Sequence, residues 1–289
     1  MMKKINDIIG DAKTIGIAGH VRPDGDCMGS CMSLYNYLKK NRPDLDVRVF
    51  LEFVDKKFNI IENTDQIITT GYDGTKFDLF ISLDTASLDR LGLNLPFYEN
   101  AKRTACIDHH ASNDGYADYN YILPKASSAS EVLYDLLDED LIDKSIAEPM
   151  YMGIAHDSGV FRFQSTTPKT MRIAANMIEK GVNVNMILEE TFFRKTYNQM
   201  MVTAKIQSEA VLALDGKCIY GYCTSEMMEE YGVTTKDLDA VVASIRNVDG
   251  VEVAMFLYQL SEDSYKVSLR SKNYVDVSKI AVENGGGGH

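Results

Sequence analysis

The chain has 289 residues, 45% hydrophobic and 25% charged, a balance that supports packed cores and predicts two domains of ordinary size. Its formal charge of −12 argues against a sequence-independent grip on long nucleic acid, which needs many basic residues. Five cysteines without a CxxC pair argue against a disulfide framework or a structural zinc site, and read as reduced, mostly buried thiols. The opening MMKKINDIIGDAK lacks an apolar run of signal-peptide length, and no stretch is long enough to span a bilayer. A cytoplasmic protein with no membrane partner is expected.

In chain order, TIGIAG (14–19) predicts a short strand and 28–40 a helix. Further strands are predicted at VRVFLE (47–52), FDLFISLD (77–84) and RTACID (103–108). Short apolar runs separated by helical patterns predict an α/β fold whose parallel sheet is covered on both faces. From Ser127 the pattern turns helical, through SSASEVLYDLLDEDL, IAEPMYMGIAHD and TPKTMRIAANMIEKG. The first of these opens on serines spaced for an N-cap, and Gly181 suits a helix C-terminus. The polar stretch 189–205 reads as a helical connection between a first domain (1–188) and a smaller α+β domain (206–289). There, EAVLALDG and KCIYGYC predict two strands around a turn at Asp215 and Gly216. Two helical segments and a strand pair, VEVAMFLYQL with SYKVSLRS, complete the pattern.

Four segments place acidic or imidazole side chains just past predicted strand or helix ends, where sites form in open α/β sheets. GHVRPDGDCMGS supplies His20, Asp24 and Asp26, with Pro23 and Gly25 making the turn that lets them converge. LDTAS supplies Asp84, RTACIDHH supplies Asp108, His109 and His110, and GIAHDSG supplies Asp157. Singly, an aspartate after a strand is more often a helix cap than a ligand. Together the segments gather three of the chain's five histidines with at least four aspartates, too many donors for one catalytic ion with open positions. Mixed imidazole and carboxylate donors suit manganese, zinc or iron. They predict two ions sharing one bridging carboxylate, an arrangement that acidifies water and clamps a phosphoryl oxygen. Phosphoester or phosphoanhydride hydrolysis is the reaction class that follows. Cys27 and Cys31 share a helix face without zinc-site spacing, and the scattered Met and Tyr residues read as packing.

These segments resemble the motifs of the DHH phosphoesterase superfamily: HVRPDGDCMGS its first, LDTAS its second, the literal DHH at 108–110 its third and GIAHDSGVFRF its fourth. SLRS (268–271) and GGGGH (285–289) resemble the DHH-associated C-terminal domain, so the likeness spans the whole chain. It is closest in type to the NrnA-like oligoribonucleases, which also act as 3′,5′-bisphosphate nucleotidases. The resemblance implies two manganese ions, with Mg²⁺ or Co²⁺ as substitutes, and an active site in the cleft between the domains. It implies His20, Asp24 and Asp84 on one ion and Asp26, Asp84, His109 and Asp157 on the other. Asp108 would orient an imidazole, while His110 and Arg162 would meet the scissile phosphate. Arg270, Ser271, Gly286, Gly287, Gly288 and His289 would contact substrate, the glycines through backbone N–H groups. Read alone, GGGGH would equally suit a flexible linker.

The resemblance also implies a homodimer and a C-terminal domain that continues beyond His289. His156 departs from it, standing where the family commonly has a small hydroxylated residue; it reads first as a helix residue facing away, with a modifier of the metal site or a substrate contact as the alternatives. The expected substrates are short RNA oligonucleotides, linear dinucleotides above all, and adenosine 3′,5′-bisphosphate. The alternatives are a cyclic di-AMP phosphodiesterase, a pyrophosphate or short polyphosphate hydrolase, and a nucleotide sensor without turnover.

Overall fold

The computed structural model describes residues 4–238 and 241–286, and the chain divides after Arg194 into two units. The first unit opens with α1 (Ile5–Ile9), β1 (Thr14–Ala18), α2 (Gly25–Asn41), β2 (Asp46–Phe50) and β3 (Leu79–Leu83). It continues through α3 (Leu95–Glu99), β4 (Thr104–Asp108), β5 (Tyr119–Ile122), α4 (Ala129–Leu136), α5 (Lys144–Asp157), α6 (Pro168–Glu179) and α7 (Val184–Leu188). Every strand is parallel to its neighbours, in the order β2-β1-β3-β4-β5, as the buried apolar runs predict. The sequence pattern does not mark β5, because YNYI at the sheet edge is only partly buried and carries no continuous apolar run. Strand order reverses at β1, whose chain leaves for β2 while β3 on its other side leads outward to β4. Connections diverge at such a point and open a crevice at the carboxyl ends of the strands.

Helices α2 and α5 pack closely, and the sequence shows why they can. A Cβ at Gly29 would lie 2.4 Å from Pro149 O and 2.8 Å from Gly153 N, so only glycine permits this approach. Pro149 has no N–H to give the carbonyl of Ser145, a defect that costs roughly 3 kcal/mol in an uncompensated helix interior. Asn36 of α2 repairs it, donating Nδ2–H to Ser145 O at 2.9 Å. Ser128 caps α4 by accepting the Glu131 N–H, and Thr167 caps α6 in a reciprocal box with Thr170. Gly181, with φ +95°, follows α6 and gives its N–H to Ile178 O.

The stretch 189–205 holds two elements rather than one helix. A π-helical turn, Glu189–Phe193, packs in the first unit through buried Thr191. Thr196 and Gln199 then cap α8 (Tyr197–Glu209), whose Val202 and Ile206 join the core of the second unit. That unit adds β6 (Val211–Ala213), β7 (Cys218–Cys223), α9 (Ser225–Tyr231), α10 (Val241–Arg246), β8 (Val253–Ser261), β9 (Ser264–Ser271) and α11 (Val277–Glu283). Its mixed sheet runs β6-β7-β8-β9, parallel between β7 and β8 and antiparallel elsewhere. The turn read at Asp215 and Gly216 begins one residue earlier, since Leu214, Asp215 and Gly216 all have positive φ. Among the described residues no helix is long and apolar enough to cross a membrane.

Buried Glu252, just before β8, holds down the segment that follows β9. Its Oε1 accepts N–H bonds from Asn273 at 2.8 Å, Tyr274 at 2.7 Å and Val275 at 3.1 Å. Burial alone would raise its pKa, but these donors outweigh burial and hold it at about 2. A carboxyl depressed in the folded state stabilises the fold above its unfolded pKa, and that stability drains as pH falls through about 4.5 towards about 2. Glu252→Gln is expected to lower the neutral-pH melting temperature of the second unit and to flatten its acid limb. An unchanged acid limb in melting curves from pH 7 to pH 2.5 (about the accessible range) would count against this role.

Candidate metal centre

The carboxyl ends of β1, β3 and β4 deliver the chemistry. After β1 the chain turns through His20 to Asp24, which caps α2: its Oδ1 accepts the N–H groups of Asp26 at 3.0 Å and Cys27 at 3.1 Å. The cap reading and the ligand reading of Asp24 are therefore compatible, since a carboxylate keeps further lone pairs. Asp26, fully buried, receives Ala129 N–H on Oδ2 at 2.6 Å and Ser130 N–H on Oδ1 at 3.0 Å, both from the first turn of α4. Asp84 follows β3 with φ +52°, an uncommon conformation for a non-glycine residue that turns its carboxylate into the crevice.

Asp84 sits at the middle of the cluster. Its Oδ2 is 3.4 Å from His20 Nε2, and its Oδ1 is 3.5 Å from His109 Nε2. Each oxygen thus faces a different imidazole. His20 Nε2 is also 3.8 Å from Asp24 Oδ1, and His109 Nε2 is 3.1 Å from Asp157 Oδ2 at the end of α5. His20 Nδ1 lies 2.7 Å from Val21 O, which makes Nδ1 a donor and turns Nε2 towards the carboxylates. His109 Nε2 is buried, and among the described residues no acceptor meets it with hydrogen-bond geometry, Asp157 Oδ2 at 3.1 Å included.

Electrostatics favour a cation here. Burial disfavours charge on His20, yet Cys27, Asp24 and Asp84 outweigh it and push the pKa up to about 12. Burial likewise opposes charge on His109, and Asp157, Asp84 and Asp26 push it up to about 12. Burial, then the charges of Asp84 and Asp157, drives the carboxyl of Asp26 well above the usual range. The imidazoles are drawn to hold protons because so many carboxylates surround them, and a divalent ion answers the same demand. Buried His20, Asp26 and Asp84, joined by partly buried His109 and Asp157 and by exposed Asp24, are a donor set that fits a metal ion. Donor groups close enough to share one are His20 with Cys27 and Asp84, Asp84 with His109 and His110, and Asp26 with His109 and Asp157.

The remaining residues fall into place unevenly. Asp108 orients His110 rather than its neighbour: His110 Nδ1 is 2.7 Å from Asp108 Oδ1, while Asn113 Nδ2 donates to Asp108 Oδ2 at 2.7 Å. Arg162, in the turn after α5, is exposed and gives its Nε–H to Gly159 O. In the second unit Arg270 pairs with Ala254 and Ser271 with Val253, so their side chains leave opposite faces of β9. The N–H of Gly286 is already committed to Ala281 O at 2.7 Å, closing the end of α11. Gly287, Gly288 and His289 lie outside the described residues.

Three features escape the sequence pattern. Cys27 places its sulfur beside His20 and Asp84, Asn113 completes the support of Asp108, and Arg90 Nη2 lies 3.3 Å from His20 Nδ1. His156 does not face away: its ring packs on Gly25 between Asp24 and Asp26, with Nε2 2.9 Å from Thr191 Oγ1. Burial, then nearby Lys57, pushes its pKa down to about 4, so the ring is neutral.

The pattern of the DHH family, N-terminal domain, matches residues 14–154, and that of the DHHA1 domain matches residues 215–289. The "Bifunctional oligoribonuclease and PAP phosphatase NrnA" of Thermus thermophilus is 32% identical over 285 residues, covering 95% of this chain and 81% of that protein. The protein of the same name from Bacillus subtilis is 27% identical, with 96% and 87% covered. Among solved structures, an exopolyphosphatase-related protein from Bacteroides fragilis shares the fold at a TM-score of 0.89, with 23% identity, 98% of this chain and 87% of that one covered.

Ion binding is directly measurable. Saturating Mn²⁺ is expected to raise the melting temperature of the EDTA-treated protein, a ligand at 100 times its Kd contributing about 2.7 kcal/mol. Asp84→Ala is expected to abolish most of that rise, and a parent protein indifferent to Mn²⁺, Mg²⁺ and Co²⁺ would dismiss the centre.

Proposed function

Because the chain belongs to the DHH family, and to its NrnA type, we propose that it is a manganese-dependent phosphoesterase that hydrolyses short oligoribonucleotides and adenosine 3′,5′-bisphosphate to mononucleotides. The observation that carries this reading is Asp84 between the buried imidazole of His20 and the largely buried one of His109, one carboxylate oxygen at 3.4 Å and the other at 3.5 Å. The names borne by the relatives in Thermus and Bacillus supply the substrate class.

In this reading His20, Asp24 and Asp84 would hold one ion, and Asp26, Asp84, His109 and Asp157 the other. Bound ions would supply Lewis acidity, acidifying water and polarising the phosphoryl group. The protein's own groups do the rest. Asp108 accepts the Nδ1–H of His110 and so fixes the orientation of the ring, which would face the phosphoryl group. Anchored on a buried carboxylate, His110 would be held in place beside the negative charge that builds on phosphorus. Among the described residues Arg162 gives only its Nε–H, to Gly159 O, and its terminal N–H groups would meet a phosphate. Few cationic groups are thus committed to substrate, and the chain's charge is −12, which supports substrates of one to a few nucleotides.

The test is release of mononucleotide from 5′-phosphorylated diadenylate with Mn²⁺, beside adenosine 3′,5′-bisphosphate, cyclic di-AMP and pyrophosphate. The linear dinucleotide and the bisphosphate are expected to turn over, and Asp84→Ala to abolish both activities. Turnover of pyrophosphate alone would replace the reading, and a metal-loaded protein that hydrolyses none of the four would leave a sensor. A second expectation concerns the third motif: Asp108→Asn should lower kcat by roughly 10²- to 10⁴-fold, the usual worth of a positioned proton donor. An unchanged kcat would remove His110 from the chemistry.

A further inference from the structure

His156 precedes Asp157 in the last turn of α5, and its ring is gripped from several sides. The Thr191 hydroxyl gives its proton to Ile187 O at 2.7 Å, so in the 2.9 Å contact with His156 the ring nitrogen Nε2 is the donor. The ring of Phe192 meets it edge-on, with centroids 5.3 Å apart, and that of Phe58 lies 6.0 Å away on a tilt. Thr191 and Phe192 both belong to the π-helical turn Glu189–Phe193, and such turns recur at functional sites.

The ring also bears on Gly25. A Cβ built at Gly25 would lie 2.1 Å from His156 Cγ and 2.3 Å from Nδ1, closer than any real side chain tolerates. Gly25 is not in the left-handed region, so the requirement for glycine there is one of space, set by the ring itself. On either side of Gly25 stand Asp24 and Asp26, whose carboxylates accept N–H groups from the first turns of α2 and α4.

We propose that His156 is a positioning residue for the metal centre. Its ring, clamped by Thr191, is the wall on which the Asp24-Gly25-Asp26 turn seats, and it thereby sets where both carboxylates meet the cations. This rests on the metal-centre reading above and adds to it a determinant outside the donor set.

The experiment exploits the steric fit. Mn²⁺ affinity is measured by calorimetry on ion-free protein, beside the ion-free melting temperature and the kcat and KM for 5′-phosphorylated diadenylate at saturating Mn²⁺. His156→Ala and Thr191→Val are each expected to weaken Mn²⁺ binding roughly tenfold, the lower end for residues supporting metal ligands. Thr191→Val keeps the shape but leaves the His156 N–H unpaired, so its ion-free melting temperature should fall only modestly. His156→Gln, which keeps a donor for Thr191, should recover part of the affinity lost in His156→Ala.

Gly25→Ala drives a methyl into the ring and should weaken binding about a hundredfold. Combined with His156→Ala, which vacates that space, it should bind more tightly than Gly25→Ala alone. At saturating Mn²⁺ the Thr191→Val enzyme should regain kcat with KM unchanged. Parent-like Mn²⁺ affinity in both His156→Ala and Thr191→Val, or losses that multiply in the double variant, would overturn the proposal. A parent protein that binds no Mn²⁺ would instead overturn the metal-centre reading on which it stands.

Discussion

Like charges crowded into one crevice are the constraint on which the first unit depends. Asp24, Asp26, Asp84 and Asp157 gather around two imidazoles, and two carboxylates 4 Å apart repel by about 4 kcal/mol at the effective dielectric of a protein. The scaffold meets this repulsion with backbone donors. Asp24 and Asp26 are held by the N–H groups that open α2 and α4, while Asp84 and Asp157 lean on His20 and His109. The parallel sheet makes this possible, because parallel strands end on one edge and the helices that follow them present N-termini there.

The close packing of α2 on α5 belongs to the same problem. Asp26 lies in the first turn of α2 and Asp157 at the last residue of α5, so the two carboxylates converge only if the helices pack closely. Gly29 and the Pro149–Gly153 stretch give that proximity, and Asn36 makes the proline tolerable. Residues with no chemistry of their own fix the spacing of those that have it.

Much of this was legible in the sequence, for physical reasons that differ by residue. His20, Asp24, Asp26, Asp84, His109 and Asp157 stand out because imidazoles are scarce here and because each follows an apolar run or a helix end. The parallel sheet was legible from continuous apolar runs, whereas β5 was not, since an edge strand of mixed polarity has no such run. The partner of Asp108 was open because two adjacent imidazoles are equally near in sequence, and side-chain direction after the strand selects His110. His156 was misread for a related reason. Helical periodicity says which face a residue lies on, and it is silent about a turn more than a hundred residues earlier that packs on that face. The anchoring of 273–275 on Glu252 was equally hidden, being a convergence of backbone N–H groups on a carboxylate distant in sequence.

The strand order has a consequence for how the protein is made. β1 lies inside the sheet between β2 and β3, and its second partner emerges from the ribosome some sixty residues after it. Contacts of such long range close slowly, because loop entropy must be met before pairing returns any energy. The six donor residues are spread from His20 to Asp157, so a nascent chain that has exposed β4 still lacks the last of them. A cation that needs the whole set would therefore not template the early stages of folding. It would act as a late clasp, favouring only chains whose sheet has already formed.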